Sequence, residues 1–302
     1  MTAPILVIGV TGQLAVSLAE AAPSRGLAVE CVGPPRLDFD RPESVRETFA
    51  ASAPWLVINA AAYTAVDAAE DDAAAAFRVN RDGPRELARL CEVAGIPLIH
   101  VSTDYVFDGL KGAPYVETDA VSPQGVYGAS KLAGEQAVLA ECSRGIVVRT
   151  SWLYSPIGNN FVRTMLAAGQ RHRHLRVVAD QCGCPTSAPD LARAILGIAV
   201  RLTSDGWQRR YAGIYHAAGT GAATWHELAT ATFAAAVSHG VPVPTIAPIV
   251  TDEWPTRAKR PPDSRLDCGK LATVLGLRLP PWQDGLTRTV EAIFAAHALS
   301  RV

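Results

Sequence analysis

Short apolar runs alternate with longer segments of mixed character through the first half of the chain. Ile5–Val10, Ala28–Val32, Trp55–Ala60, Pro97–Ser102, Ile146–Tyr154 and Leu175–Ala179 are largely hydrophobic stretches of strand length. That is the pattern of strands buried on both faces of a parallel sheet. Helix-forming runs lie between them: Val16–Ala22, a segment through Phe49 that Asp40 and Glu43 open in capping-box spacing, Ala68–Ala94, and Val126–Ala140. Gly83-Pro84 is expected to interrupt the third of these. Strands alternating with helices predict an α/β fold, a doubly wound parallel sheet of the Rossmann type. Beyond residue 151 the prolines grow denser. Pro242, Pro244, Pro248, Pro255, Pro261 and Pro262 break any long regular element there.

Composition narrows the field. A chain of 302 residues buries a large core and allows one big or two coupled domains. The formal net charge of −1 gives no long-range attraction to nucleic acid or to an anionic membrane. No apolar run approaches the ~18 residues that span a bilayer. The first strand begins so early that no signal peptide is expected. Six cysteines are scattered, apart from Cys182-Gly-Cys184, which lacks a second half for a zinc site. They read as free thiols in a reducing cytoplasm, with no metal.

The candidate chemistry lies at strand ends. Gly9-Val-Thr-Gly12-Gln13-Leu14-Ala15 follows the first apolar run and opens a helix. A glycine turn from strand to helix is a dinucleotide-binding device. Gly9 permits the turn, Gly12 lets backbone approach a pyrophosphate, and the helix N-terminus favours the phosphates. Ala15 is small enough for close helix–strand packing where a third glycine often stands. Ser102-Thr103-Asp104 ends another apolar run. Ligands of open α/β sheets sit beyond such carboxyl ends, although a strand-ending turn also uses these residues. Tyr127 and Lys131 fall four apart on one helix face. Such pairs are common by chance. Here an ammonium beside the phenol would lower a pKa that is ordinarily ~10, making Tyr127 a proton donor. Residues 1–151 are then expected to form a dinucleotide-binding domain, completed by segments after 172. Residues 152–302 are expected to form a smaller, mainly substrate-binding region.

Asn59-Ala-Ala-Ala-Tyr-Thr-Ala-Val-Asp67, Ser102-Thr-Asp-Tyr-Val-Phe-Asp-Gly109, Pro123-Gln-Gly-Val-Tyr-Gly128, Lys131-Leu-Ala-Gly-Glu135 and Arg149-Thr-Ser-Trp152 carry a resemblance. So do Gly158-Asn-Asn-Phe161, Asp180-Gln181 with Pro185-Thr186, Gly213-Ile-Tyr-His216, and Arg260-Pro with Ser264-Arg-Leu-Asp267. Together they resemble the dTDP-4-dehydrorhamnose reductase family of extended short-chain dehydrogenases/reductases, over nearly the whole chain. The resemblance implies NADPH-dependent reduction of the C4 ketone of dTDP-4-dehydro-L-rhamnose to dTDP-L-rhamnose. It implies catalysis by Tyr127, Lys131 and Thr103. Cofactor contacts would come from Gly9, Gly12, Gln13, Leu14, Asp38-Phe39, Ala62-Tyr63-Thr64, Tyr127 and Lys131. Thr103, Asp104, Tyr127, Trp152, Asn160 and Arg260 would meet the dTDP-sugar. A homodimer is left open.

Cofactor choice turns on the second strand. Glu30 lies inside it, no carboxylate ends it, and Arg36 follows close enough to meet a 2′-phosphate. That favours NADPH and leaves NADH open. Arg171-His-Arg-His174 reads as a solvated helix end. Trp207, Trp225, Trp254 and Trp282 read as packing residues, and His216 as a structural histidine. Two alternatives stand beside the main reading: a 4-ketoreductase for another dTDP-deoxysugar, or a non-catalytic regulatory subunit like that of methionine adenosyltransferase.

Overall fold

A computed structural model describes residues 3–299. Its central sheet has six parallel strands: β1 (Ile5–Ile8), β2 (Val29–Val32), β3 (Leu56–Asn59), β4 (Leu98–Thr103), β5 (Gly145–Thr150) and β6 (Gly213–His216). Their order is β6-β5-β4-β3-β1-β2. The chain runs from β1 outward to β2 and then returns to place β3 on the other side of β1. This reversal makes the carboxyl ends of β1 and β3 the switch point where ligands bind in open sheets.

The helices flanking the sheet are α1 (Gln13–Ala21), α2 (Pro42–Ser52), α3 (Gly83–Ala94), α4 (Val126–Glu141) and α6 (Ala188–Asp205); α5 (Phe161–Arg171) precedes the last of these, and α7 (Trp225–Ala236) and α8 (Trp282–Leu299) follow it. Alternation along each strand divides the core. Ile5, Val7, Leu56, Ile58, Ile99, Ile146 and Val148 pack on one face with Leu14 and Leu18 of α1 and Leu191, Ile195 and Ile198 of α6. Leu6, Ile8, Val57, Leu98 and Val147 pack on the other with Val45, Leu87, Cys91 and Val138. Both sets are fully buried, which is why these strands read as continuous apolar runs. Each such side chain contributes roughly 1.5–3 kcal/mol by leaving water. Both α6 and β6 come from beyond residue 172 yet belong to this sheet and its cover.

A further core gathers Tyr154, Val162 and Leu166 with Leu228 of α7 and Trp282, Leu286 and Val290 of α8. The Tyr154 hydroxyl donates to the Trp282 carbonyl at 2.9 Å. Among the described residues no helix is long and apolar enough to cross a membrane.

Four expectations need correction. The apolar stretch from Ile146 to Tyr154 is two strands, because the chain turns at Trp152 with φ 46° and only Leu153–Tyr154 resumes, beside Thr186–Ser187. Leu175–Ala179 lies outside the central sheet; His174–Val178 pairs with Thr245–Ile249 in a separate parallel ribbon. Asp40 does not cap the helix through Phe49. The N-cap position of α2 is Arg41, with Pro42 first in the helix, and Asp40 pairs with Arg78 instead. Trp254 is 59% exposed and packs in no core.

Candidate active site

Register brings the chemistry to one edge. Ile8 is level with Asn59, so Gly9 and Ala60 leave the sheet together; Asn59 is level with His100, and β4 and β5 run three residues further, to the level pair Thr103 and Thr150, before Asp104 and Ser151 leave the same carboxyl edge. Gly9 adopts φ 129°, which favours glycine, and a Cβ there would press against Ala15. Gly12 precedes α1 with extended backbone, and space for a Cβ stays open beside it. The first helical N–H groups therefore face a surface that backbone-bound phosphate can reach. Gln13 accepts a hydrogen bond from Asn160 at 3.0 Å. Leu14 turns into the core, so only its backbone is left to meet a phosphate.

Helix α4 carries Tyr127, Lys131 and Glu135 at successive turns. It approaches its neighbours closely because Gly128 and Gly134 have no side chain; a Cβ would strike the Tyr105 carbonyl at the first and the Asn80 carbonyl at the second. The partly buried Tyr127 lies edge-on to Tyr105, ring centres 5.5 Å apart. Thr103 is the hub: its hydroxyl donates to Asp104 Oδ1 at 3.1 Å, accepts from Tyr105 N–H at 3.2 Å and acts on the Tyr127 phenol. Burial raises the Asp104 carboxyl to about 6, against the lowering effect of Ser264 and Thr103; its Oδ2 has no hydrogen-bond partner among the described residues.

The expected pull of Lys131 on the phenol is not what this geometry gives. Lys131 Nζ donates to the Val101 carbonyl at 2.6 Å. Burial pushes the Tyr127 phenol up, the Thr103 hydrogen bond opposes this, and Asp104 and Tyr105 add to the rise. Burial also lowers Lys131 itself to about 8, countered by Glu135.

The strip Ala62-Tyr63-Thr64, expected to meet the cofactor, is held by a residue the sequence reading passed over. Asn80, fully buried in a π-helical turn at 78–82, accepts from Tyr63 N–H at 2.8 Å and donates to the Tyr63 carbonyl at 3.1 Å and to Ser130 Oγ at 3.0 Å. Ala62-Tyr63-Thr64 is thereby tied to α4 through Ser130. Only an Asn-x-x-Gly spacing before Gly83 hinted at it. Phe39 lies over Gly83, where no Cβ fits. Asp38 holds the start of α2, its N–H bonding Ser44 Oγ and its carboxylate accepting from Asp40 N–H, both at 3.0 Å. Arg36 is half exposed, but its guanidinium is paired with Glu30 at 2.6 Å. The carboxylate read as lying inside the strand thus reaches the cation proposed for a 2′-phosphate.

On the substrate side, Trp152 lies flat on Trp225, ring centres 3.5 Å apart and planes 6° off parallel. Its ring covers Gly183, where a Cβ would collide with it. Trp225 is thus more than filler: its Nε1 donates to Gln181 at 3.1 Å and it sets the plane of Trp152. Arg260 lies over the Tyr105 ring at 5.8 Å, bonds Asp67 at 2.7 Å, and keeps one buried terminal nitrogen without a hydrogen-bond partner among the described residues. Asn160 is different. Its oxygen caps α5 through Arg163 N–H and its amide serves Gln13, Ser155 and Ile157, so it shapes the loop and offers no free donor. His216 is buried and structural; burial and Arg149 lower it to about 3. An open cavity of about 480 Å³ beside Gly158, Arg163 and His172 includes none of Thr103, Asp104, Tyr127 or Lys131.

A parallel sheet with a glycine turn at its switch point, and a Tyr-x-x-x-Lys helix at the same edge, defines a Rossmann-type oxidoreductase. The family model described as the RmlD substrate binding domain matches residues 2–294. The chain is 42% identical to the dTDP-4-dehydrorhamnose reductase of Sinorhizobium fredii over 96% of its length and 97% of that protein. It is 38% identical to that of Escherichia coli, over 98% and 99%. The crystal structure of the Bacillus anthracis dTDP-4-dehydrorhamnose reductase in complex with NADP superposes with a TM-score of 0.87 at 34% identity, covering 96% of this chain and 99% of that one. The chain belongs to the dTDP-4-dehydrorhamnose reductase family.

Proposed function

We propose that this protein reduces the C4 ketone of dTDP-4-dehydro-L-rhamnose to dTDP-L-rhamnose with NADPH. The observation that carries the reading is the meeting of Tyr127, Thr103 and Asp104 at the carboxyl end of β4, on the same edge of the sheet as the glycine turn of β1, with β3 between them. Residues 1–151, with α6 and β6, form the dinucleotide-binding domain in this reading. The remainder of 152–302 forms the substrate-binding region. The enzyme works in the cytoplasm.

Bound at the Gly9–Gly12 turn, NADPH supplies the hydride. Every other role falls to the chain. Thr103 and Tyr127 bond the ketone oxygen from one side and oppose the charge that develops there. Tyr127 gives its proton to that oxygen; its raised pKa keeps it protonated until the alkoxide forms. Lys131 leaves the Val101 carbonyl to hold the nicotinamide ribose. Asp104 accepts from a sugar hydroxyl, the Trp152 face covers the ring, and the free nitrogen of Arg260 meets the diphosphate. Arg36 holds the 2′-phosphate.

NADPH consumption with dTDP-4-dehydro-L-rhamnose, and chromatographic identification of the product, tests this. No consumption by folded protein that binds NADPH would sink it. Turnover giving a different C4 epimer would keep the reaction class and reject the product.

A further inference from the structure

Behind the reacting groups lies a fully buried ion pair that the mechanism above does not use. Glu135, 1% exposed, accepts two hydrogen bonds from Arg149, at 2.9 and 2.7 Å, and one from Ser102 Oγ at 2.5 Å. Arg149 is equally buried and stands near the end of β5; Ser102 immediately precedes Thr103 on β4. Glu135 follows Lys131 by four residues, as Lys131 follows Tyr127, so all three lie on one face of α4. Two bolts therefore fasten this helix to the end of β4. One is Lys131 to the Val101 carbonyl and the other is Glu135 to Ser102.

A buried ion pair is a poor way to gain stability, since apolar side chains of similar volume often hold elements together as well or better. It supplies two things they do not. Its geometry fixes helix against strands at one register. It also places a negative charge one turn from Lys131, deep in the protein. We propose that Glu135 is a positioning residue for the reaction, setting both the place and the charge of Lys131, with Arg149 and Ser102 holding it there. This rests on the assignment of Lys131 to the cofactor ribose.

The other groups facing Lys131 do not supply that charge. From β4 comes His100, whose Nδ1 lies 3.1 Å from Asn59 Nδ2 and which burial, aided by Lys131, keeps unprotonated. The 78–82 turn presents Asn80, which is uncharged. From α4 itself comes Tyr127, kept neutral by burial. Arg149 on β5 is paired with Glu135. Lys131 titrates near 8, and Glu135 is the group that holds it up against burial. Without that carboxylate, Lys131 loses its proton at a lower pH.

The test compares Glu135→Gln, Glu135→Asp, the double variant Glu135→Leu/Arg149→Met, and Lys131→Met as reference. Fluorescence gives the NADPH dissociation constant from about pH 6 to about pH 9. The same series gives turnover and melting temperature. Glu135→Gln keeps an acceptor for Ser102 and loses the charge. Its alkaline limb should fall by on the order of one pH unit, with roughly tenfold weaker NADPH binding above the limb. The double variant should do the same while melting no lower than the parent. Glu135→Asp should keep the limb and lose turnover through misregister. A parental limb in Glu135→Gln, or in a double variant that folds, overturns the proposal, and the Gln/Asp contrast decides it if the double variant does not fold. If Lys131→Met itself keeps parental binding and turnover, the Lys131 assignment falls, and the inference with it. If Lys131→Met is impaired and the Glu135 variants are not, the inference alone fails.

Discussion

At the scale of single residues, two groups in the cleft titrate inside the working range, and their directions are opposite. Asp104 is raised to about 6 by burial, so only above that would it meet a sugar hydroxyl as a charged, acceptor-only carboxylate. Lys131 is lowered to about 8, also by burial, so it is charged only below that. The profile of kcat/KM should therefore rise through about pH 6 and fall through about pH 8. Asp104→Asn should remove the acid limb and leave the alkaline one; an acid limb that survives assigns it elsewhere. Tyr127→Phe should lower turnover by roughly 10²–10⁴, typical of a lost general acid, with NADPH affinity little changed. The Arg36–Glu30 pair gives a third expectation. Arg36→Ala should weaken NADPH more than NADH by about ten- to a hundredfold, the size of a charge-assisted bond of ~1.5–3 kcal/mol. Glu30→Gln should instead strengthen NADPH binding, because the carboxylate competes for that guanidinium. Equal effects on the two cofactors in calorimetry would place Arg36 away from the phosphate.

At the scale of elements, what joins α4 to its surroundings matters more than its own amphipathicity. Gly128 and Gly134 let it lie against the Tyr105 and Asn80 carbonyls, and Asn80 carries the Tyr63 loop on the same helix. Asn80→Ala removes the partner of a part-buried Tyr63 N–H, at a cost of about 1 kcal/mol. The melting temperature should fall, and KM for NADPH should rise by more than KM for the sugar nucleotide. The reverse ranking would detach the 62–64 strip from the cofactor. The strands, the glycine turn and the Tyr127 helix were legible in the sequence because each depends on near neighbours: apolar runs, a turn and an i,i+4 pair. The rest depended on partners far along the chain. Nothing local to Leu175–Ala179 says that it pairs with Thr245–Ile249, and nothing local to Trp225 says that it stacks on Trp152. Arg36 was found from its position after β2, but its partner depended on how the intervening turn folds back to Glu30. Asn160 carried a polar side chain in a suggestive motif; whether that amide is free is decided by Gln13, some 150 residues away.

At the scale of the molecule, the region after residue 240 is fastened to the first half at Tyr115, which pairs with the backbone of Arg265 and Asp267, and at the segment 67–71, which holds the strap that carries Arg260. Asp67 accepts from Ala258 N–H at 3.0 Å and from Arg260 at 2.7 Å, Asp71 pairs with Arg257, and Glu70 between them accepts from Val126 N–H at 2.8 Å, at the start of the Tyr127 helix. The strap that carries Arg260 and the helix that carries Tyr127 thus share an anchor at 67–71. Cutting the chain at 240 would test this poorly, because it removes α8 and with it Trp282, Leu286 and Val290 from a hydrophobic core. A point change is cleaner. Asp67→Asn keeps a side chain that can still accept from Ala258 and removes the charge that holds Arg260. Arg260 should then no longer be held toward the diphosphate. We expect dTDP to bind the parent in competition with the sugar nucleotide and not with NADPH. In Asp67→Asn, dTDP binding should weaken by roughly tenfold, in keeping with a charge-assisted contact of ~1.5 kcal/mol, with NADPH affinity unchanged. Titration calorimetry reads both ligands on one preparation. Parental dTDP affinity in this variant would mean that Arg260 does not hold the nucleotide end, and competition between dTDP and NADPH would mean that the two share a cleft this fold keeps apart.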